Sequence, residues 1–465
     1  MGLLSEFDQR DRAKLGDEMH RFTADLYPIC RSITGNGIRQ TLKMIQDRIP
    51  LETFEVPTGT AVFDWIVPKE WNVRDAYIKG PNGQRILDFQ ECNLHLLNYS
   101  MPVRATMSLS ALKPHLFTIP EKPDWIPYRT SYYKEDWGFC LSHNQMLALQ
   151  DGEYEVCIDS TLANGYLTYG ECYLPGRSTD EILISCHACH PSLANDNLSG
   201  LSVATFLAQI LSGRDLRYSY RFLFIPGTIG AITWLARNRD TIGCIRHGLV
   251  LTCLGDRGPF HYKKSRQGNA EIDRATAHLL RQYSESPKIL EFSPYGYDER
   301  QYCSPGFNLA VGCLMRSVWG TFPEYHTSAD NLNFIQPKQL AESLGLCADI
   351  FDVLEENRRY RNLNPYCEPQ LGRRNLYRST GGGAIEAQIN ARLWVLNLSD
   401  GEHSLLDIAE RSGHPFPLIH AAAEALQESG LLAIIPETSR GLEEESQENT
   451  AHSSGDQSCG SSSHS

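Results

Sequence analysis

The pattern of apolar and polar positions changes three times along the 465 residues. Residues 10 to 50 place their apolar positions at helical intervals, as in RQTLKMIQDRI. From about Thr53 to Thr168 short β-prone runs follow, broken by Pro, Gly and Asn: TGTAVFDWIVP, VRDAYIKGPNGQRILDF and EYEVCIDSTLANGYLTYG. These predict a mostly β module. After Asp180, strand and helix alternate. EILISC, YRFLFIP, GLVLTCL and LAVGCLM read as strands; LSGLSVATFLAQIL, the stretch after Gly230, ATAHLLRQY and Pro337 to Asn357 read as helices. That order predicts an α/β fold with a doubly wound sheet. Because helices precede the β module, the simplest architecture inserts residues 53–168 into a discontinuous α/β domain made of 1–52 and 169–365.

Beyond about Gly381 three helical runs follow, ARLWVLNLSDG, SLLDIAERSG and PFPLIHAAAEALQESGLL, with a Gly-containing turn after the second. This is the outline of a winged helix-turn-helix over 381–437. Residues 384–437 hold Arg392 and Arg411 against eight acids, a net charge of −6, and the last helical run carries no Lys or Arg. A phosphate backbone would be repelled, so the expectation is no nucleic acid, but docking onto the α/β domain or a homo-oligomer contact. Residues 438–465 are polar and low in complexity and are expected to be disordered.

Composition narrows the class. The chain is 41% hydrophobic and 10% aromatic, enough for two or three cores. No run approaches the roughly 20 apolar residues of a membrane span, and no secretory signal pattern opens the sequence. The expected location is cytoplasmic, with no membrane partner and with the 14 cysteines reduced. The overall charge of −13 argues against a general binder of nucleic acid or anionic lipid.

Candidate chemistry concentrates in ISCHACHPSLANDNLSG, Ile184 to Gly200. Cys186 and Cys189 form a CxxC without the second ligand pair that a zinc finger needs, and PSLAND separates them from the helix a redox pair would precede. His187 falls at the carboxyl end of a predicted strand, where open α/β sheets place ligands, and Asp196 lies just ahead of the next helix. Taken alone, these two more often mark a core histidine and a helix cap than a metal site. YHTSADNL adds His326 and Asp330, and GYDERQYCSPG adds Asp298. Histidine, aspartate and histidine delivered from separate strand ends form the ligand set of an open zinc site that leaves a fourth position for water. The aromatic-rich IPYRTSYYKEDWGF, Ile126 to Phe139, reads either as the mouth of such a pocket or as an edge of the β core.

The order of HxxxH, ANDNLSG, a strand ending in Pro with TIG after it, DERQ and YHTSADN resembles the zinc-aminopeptidase superfamily. The nearer resemblance is to its branch of polysaccharide-biosynthesis proteins with an aminopeptidase-like domain, an inserted β domain and a carboxyl-terminal winged helix. It covers about residues 10 to 437. The resemblance implies zinc, about one per chain, held by His187, Asp196 and His326, with His190 as a weaker alternative ligand. It implies that Asp330 orients His326 and that Asp298 lines the pocket, with Arg300 and Tyr325 as substrate contacts. Thr252 stands where a further aspartate ligand of a second metal is expected, and only Asp256 nearby is available to substitute. The implied activity is hydrolysis or acyl transfer on a small-molecule or peptide-like amide. The branch reads Pro-Glu-Thr-Ile-Gly where this chain reads FIPGTIG, so Gly227 replaces the expected general base. Divergence to a non-hydrolytic adaptor, a laboratory substitution, and transfer of the task to Glu299 or Glu324 all remain open. Positive φ at Gly227 would make any larger residue strained there.

Overall fold

The computed structural model describes residues 2–4, 9–283, 286–376 and 383–436. The expected tail at 438–465 lies outside these. The chain divides into two compact units, Met1–Glu356 and Asn357–Ser465.

The first unit is built on an eight-stranded sheet in the order 52–57, 166–174, 219–225, 181–187, 245–251, 311–315, 261–263, 288–290. Its four central strands run parallel, and antiparallel partners extend it on both sides. Every residue of the strand Glu181–His187 is buried. A strand covered on both faces needs a continuous apolar run instead of an alternating one, which is what EILISC supplies. The helices Gly200–Leu211 and Pro337–Glu356 pack on each other, and Gln9–Leu26 packs on both. The two short strands His261–Lys263 and Lys288–Leu290 were not expected, since three residues are too few for a period to show.

The inserted module is smaller than its β-prone sequence implies. Glu52–Pro57 pairs antiparallel with Tyr166–Leu174, Pro57 opposite Tyr166, and both strands belong to the large sheet. The chain therefore leaves that sheet after Pro57 and re-enters at Tyr166. Between these points lies a four-stranded antiparallel sheet of Arg85–Asp88, Glu70–Lys79, Glu153–Ala163 and Val103–Ser108. Val103–Ser108 alternates half-buried and exposed positions, as a strand with one covered face does.

The second unit starts earlier than the helical runs implied. Its three helices, Gly383–Leu398, Leu405–Ser412 and Phe416–Glu428, fall on the expected runs. The strand Arg359–Asn362, however, lies at the centre of its sheet, between Asp400–Ser404 and Leu432–Ile434. Ser404 and Asp407 form a reciprocal capping box at the second helix, and Gly413 ends it at φ +72. With the boundary moved, residues 358–434 carry eight arginines and eight acids, and the net charge of −6 vanishes. What remains of the argument against DNA is the helix Phe416–Glu428, which has no Lys or Arg. Among the described residues no helix is long and apolar enough to cross a membrane.

Candidate metal centre

Three loops of the first unit meet at the carboxyl end of the central strand. His187 is the last residue of that strand. The segment Ala194–Ser199, which supplies Asp196, is held by its own side chains in place of a regular ladder. Asn195 Nδ2 donates to Asp256 (2.8 Å), Asn197 Nδ2 to the Leu251 carbonyl (2.9 Å) and Ser199 Oγ to the Asn195 carbonyl (2.7 Å). The helix that follows can start here because Gly200 has no side chain: a Cβ would lie 2.5 Å from the Leu251 carbonyl oxygen.

Asp196 is the hub. Its Oδ1 lies 2.9 Å from His187 Nε2 and accepts from the Tyr297 hydroxyl at 3.0 Å. Its Oδ2 lies 3.0 Å from His326 Nε2 and 4.0 Å from His190 Nε2. The ligating atoms of His187, His190 and Asp196 all fall within 4.8 Å of one another. Asp196 is fully buried, which opposes its ionisation, but His190, His187 and His326 together hold its carboxyl well below the usual carboxylate range. Burial pushes the His190 ring well below the usual imidazole range, with Asp196 opposing. Such a ring is neutral near pH 7, the form in which imidazole ligates a metal.

Asp196 Oδ2 and His326 Nε2 are both buried, and neither has a hydrogen-bond partner, although they are 3.0 Å apart. An orphaned carboxylate oxygen and an orphaned ring nitrogen so close, but without hydrogen-bond alignment, are arranged as ligands to a shared cation would be. Imidazole nitrogens and a carboxylate oxygen suit zinc. The residues present therefore fit a zinc ion.

Aromatic rings brace the imidazoles. Tyr297 stacks on His187 with centroids 4.8 Å apart, and Tyr325 stacks on His326 at 4.0 Å. Tyr297 was not foreseen; among 21 tyrosines its place beside Asp298 is a weak signal. The inserted module supplies a further wall. Ile126 and Ser328 exchange hydrogen bonds, and Tyr128 N donates to the His326 carbonyl at 2.8 Å. The Tyr128 ring then sits 5.1 Å from both His190 and His326. Of the two readings of IPYRTSYYKEDWGF, this end of it borders the site.

Two expected roles change. Asp330 binds the backbone N–H groups of Asn195 (2.6 Å) and Asp196 (3.0 Å), so it holds the loop that carries Asp196 in place of the His326 ring. Burial raises its carboxyl to about 8, against the two backbone donors. Asp256 is not free to substitute for the residue missing at Thr252. It accepts from Asn195, Gly258 and Ser317 at 2.6–2.8 Å.

Around position 227 the site is sparse. Gly227 does not have positive φ, so the backbone strain that positive φ would have brought to a larger residue is absent. An added Cβ would lie 3.0 Å from His187 Cβ and 3.5 Å from each oxygen of Asp298. Asp298 is 1% exposed and neither oxygen has a partner. Glu299 is engaged differently, with Oε1 accepting from the buried Lys263 at 2.8 Å. Arg300 is half-buried on the same short helix, its Nε unpartnered. Glu324 is half-buried two residues before His326.

This fold is that of the zinc aminopeptidases. A zinc aminopeptidase from Bacillus subtilis superposes with a TM-score of 0.53 at 12% identity, over 73% of this chain and 94% of that one. The chain itself belongs to the family described as a domain of unknown function (DUF4910), which matches residues 20–357, and a winged helix-turn-helix family matches residues 358–434. A Clostridium acetobutylicum relative, provisionally named a polysaccharide biosynthesis protein with aminopeptidase-like domain, is 51% identical over 427 residues, 92% of this chain and 98% of its own. A crystal structure from the same organism, provisionally named a peptidase, is 50% identical with a TM-score of 0.87, over 92% of this chain and 98% of that one.

Proposed function

We propose that the protein is a zinc-dependent hydrolase of amide bonds in small peptide-like substrates, with one zinc held by His187, Asp196 and His326 and with His190 beside them. The observation that carries this reading is the pair of orphaned atoms, Asp196 Oδ2 and His326 Nε2, inside a buried cluster on an aminopeptidase-like fold. A zinc ion bound there supplies Lewis-acid polarisation of a carbonyl and a lowered pKa for water. The chain's own residues do the rest. Asp330 fixes the ligand loop, Tyr297 and Tyr325 fix ring planes, and Tyr128 excludes water from the insert side. Arg300 and Tyr325 stand as substrate contacts.

The test is hydrolysis of a panel of aminoacyl and peptidyl 4-nitroanilides by the zinc-loaded full chain. We expect turnover that chelation abolishes and zinc restores. Turnover indifferent to chelation, or none on a panel widened to amino-sugar amides, contradicts the reading. A second reading, a metal-binding adaptor docking through its winged helix, is favoured by the empty position at Gly227. Zinc retained without turnover on any amide supports that one instead.

A further inference from the structure

Beside Gly227 stands an acidic side chain with no partner of its own. Glu299 is tied to Lys263. Asp298 is different. Both of its oxygens are buried without partners, and both lie 3.5 Å from where a Cβ on residue 227 would stand. Its carboxylate borders the room that a side chain at 227 would occupy, on the side of His187. A buried, unsatisfied carboxylate is costly and persists where it has a task.

We propose that Asp298 is the acid–base carboxylate of this site, taking the role that Gly227 cannot fill; this rests on the hydrolase reading above. Asp298 accepts a proton from the attacking water as the O–C bond forms. It then delivers that proton to the leaving nitrogen as the C–N bond breaks, and ends as the carboxylate that began the cycle. The charged groups around it are His187, Glu299 and Arg300. Burial raises its carboxyl to about 7, with His187 opposing and Glu299 adding, so it exchanges protons near neutrality.

The experiment uses the zinc-loaded full chain and acetohydroxamic acid, a probe that binds zinc after losing its N–OH proton. Calorimetric titration near the Asp298 value of about 7, in two buffers of different ionisation enthalpy, counts the protons released. With Asp298 as acceptor the wild type retains part of the proton and releases clearly less than Asp298→Asn, which releases about one per probe bound. Glu324→Gln should match the wild type. Equal proton release in wild type and Asp298→Asn, or zinc bound with no probe binding, overturns the proposal and leaves the hydrolase reading standing. Absence of zinc overturns both. Folding is read from melting temperature and zinc content. If Asp298→Asn does not fold, Asp298→Ser replaces it; collapse of both assigns Asp298 a structural role and also overturns the proposal.

Discussion

The two sides of the site are built on opposite principles. On the ligand side, nearly everything but the orphaned pair is braced: Asp196 Oδ1 is met by His187 and Tyr297, its backbone is held by Asp330, and Asn195, Asn197 and Ser199 fasten the loop. On the facing side, Gly227 offers nothing and Asp298 has no partner. The difference teaches where each kind of work is done. A metal ligand must not move, and rigidity comes from hydrogen bonds to its carriers. A proton carrier must stay unsatisfied until substrate arrives.

Breaking the braced side has the largest effect. Asp196→Ala removes the hub, and zinc affinity should fall by more than the roughly 100-fold upper range for losing a group that only supports a ligand. Competition with a chromophoric chelator measures it. A smaller fall would mean that the histidines alone hold the ion.

The facing side is sharpened by Gly227→Glu. The family resemblance alone credits that change with a gain of roughly 10² to 10⁴ in rate. The geometry predicts otherwise: the new side chain abuts Asp298, two carboxylates compete for one proton, and the rate gains little. In an Asp298→Asn background the same glutamate should restore activity by roughly 10²-fold. Steady-state rates of the four proteins form the cycle. A large gain in the presence of Asp298 would show that Gly227 is simply a missing base.

Next in size, Asp330→Asn keeps the shape but turns an NH₂ toward a backbone N–H. Zinc affinity should drop roughly 10- to 100-fold with the fold retained. An unchanged affinity would show that the loop holds itself.

Legibility follows the same division. EILISC announced the central strand because both of its faces are covered, and His187, Asp196 and His326 stood in motifs dense with polar residues beside helix starts. Boundaries were harder. A strand's period does not name its partner, so Glu52–Pro57 and Tyr166–Leu174 looked like part of the insert, and Arg359–Asn362 looked unrelated to helices that lie beyond it in sequence. The family resemblance assigns Asp330 to the His326 ring, whereas its partner is a backbone more than 130 residues distant, which nothing in the sequence marks. The looseness at Asp298 is a property of missing contacts, and no motif spells that out.

The smallest effect is on pH dependence. The folded-state value of Asp298 is raised from 3.8 to about 7, so the proton is held more tightly in the folded chain. The stabilisation is therefore complete below the unfolded value and is lost as pH climbs through about 7. For a buried group shifted this far, the loss is on the order of 4 kcal/mol. The metal-free protein should melt several degrees lower at mildly alkaline than at mildly acidic pH, and Asp298→Asn should flatten that slope. Parallel curves for the two proteins would show that Asp298 does not carry this cost.

The central claim is the metal centre, and elemental analysis tests it most directly. We expect about one zinc per chain in the wild type, and close to none in His187→Ala and His326→Ala that remain folded by melting temperature. Undiminished zinc in either well-folded variant would contradict the account.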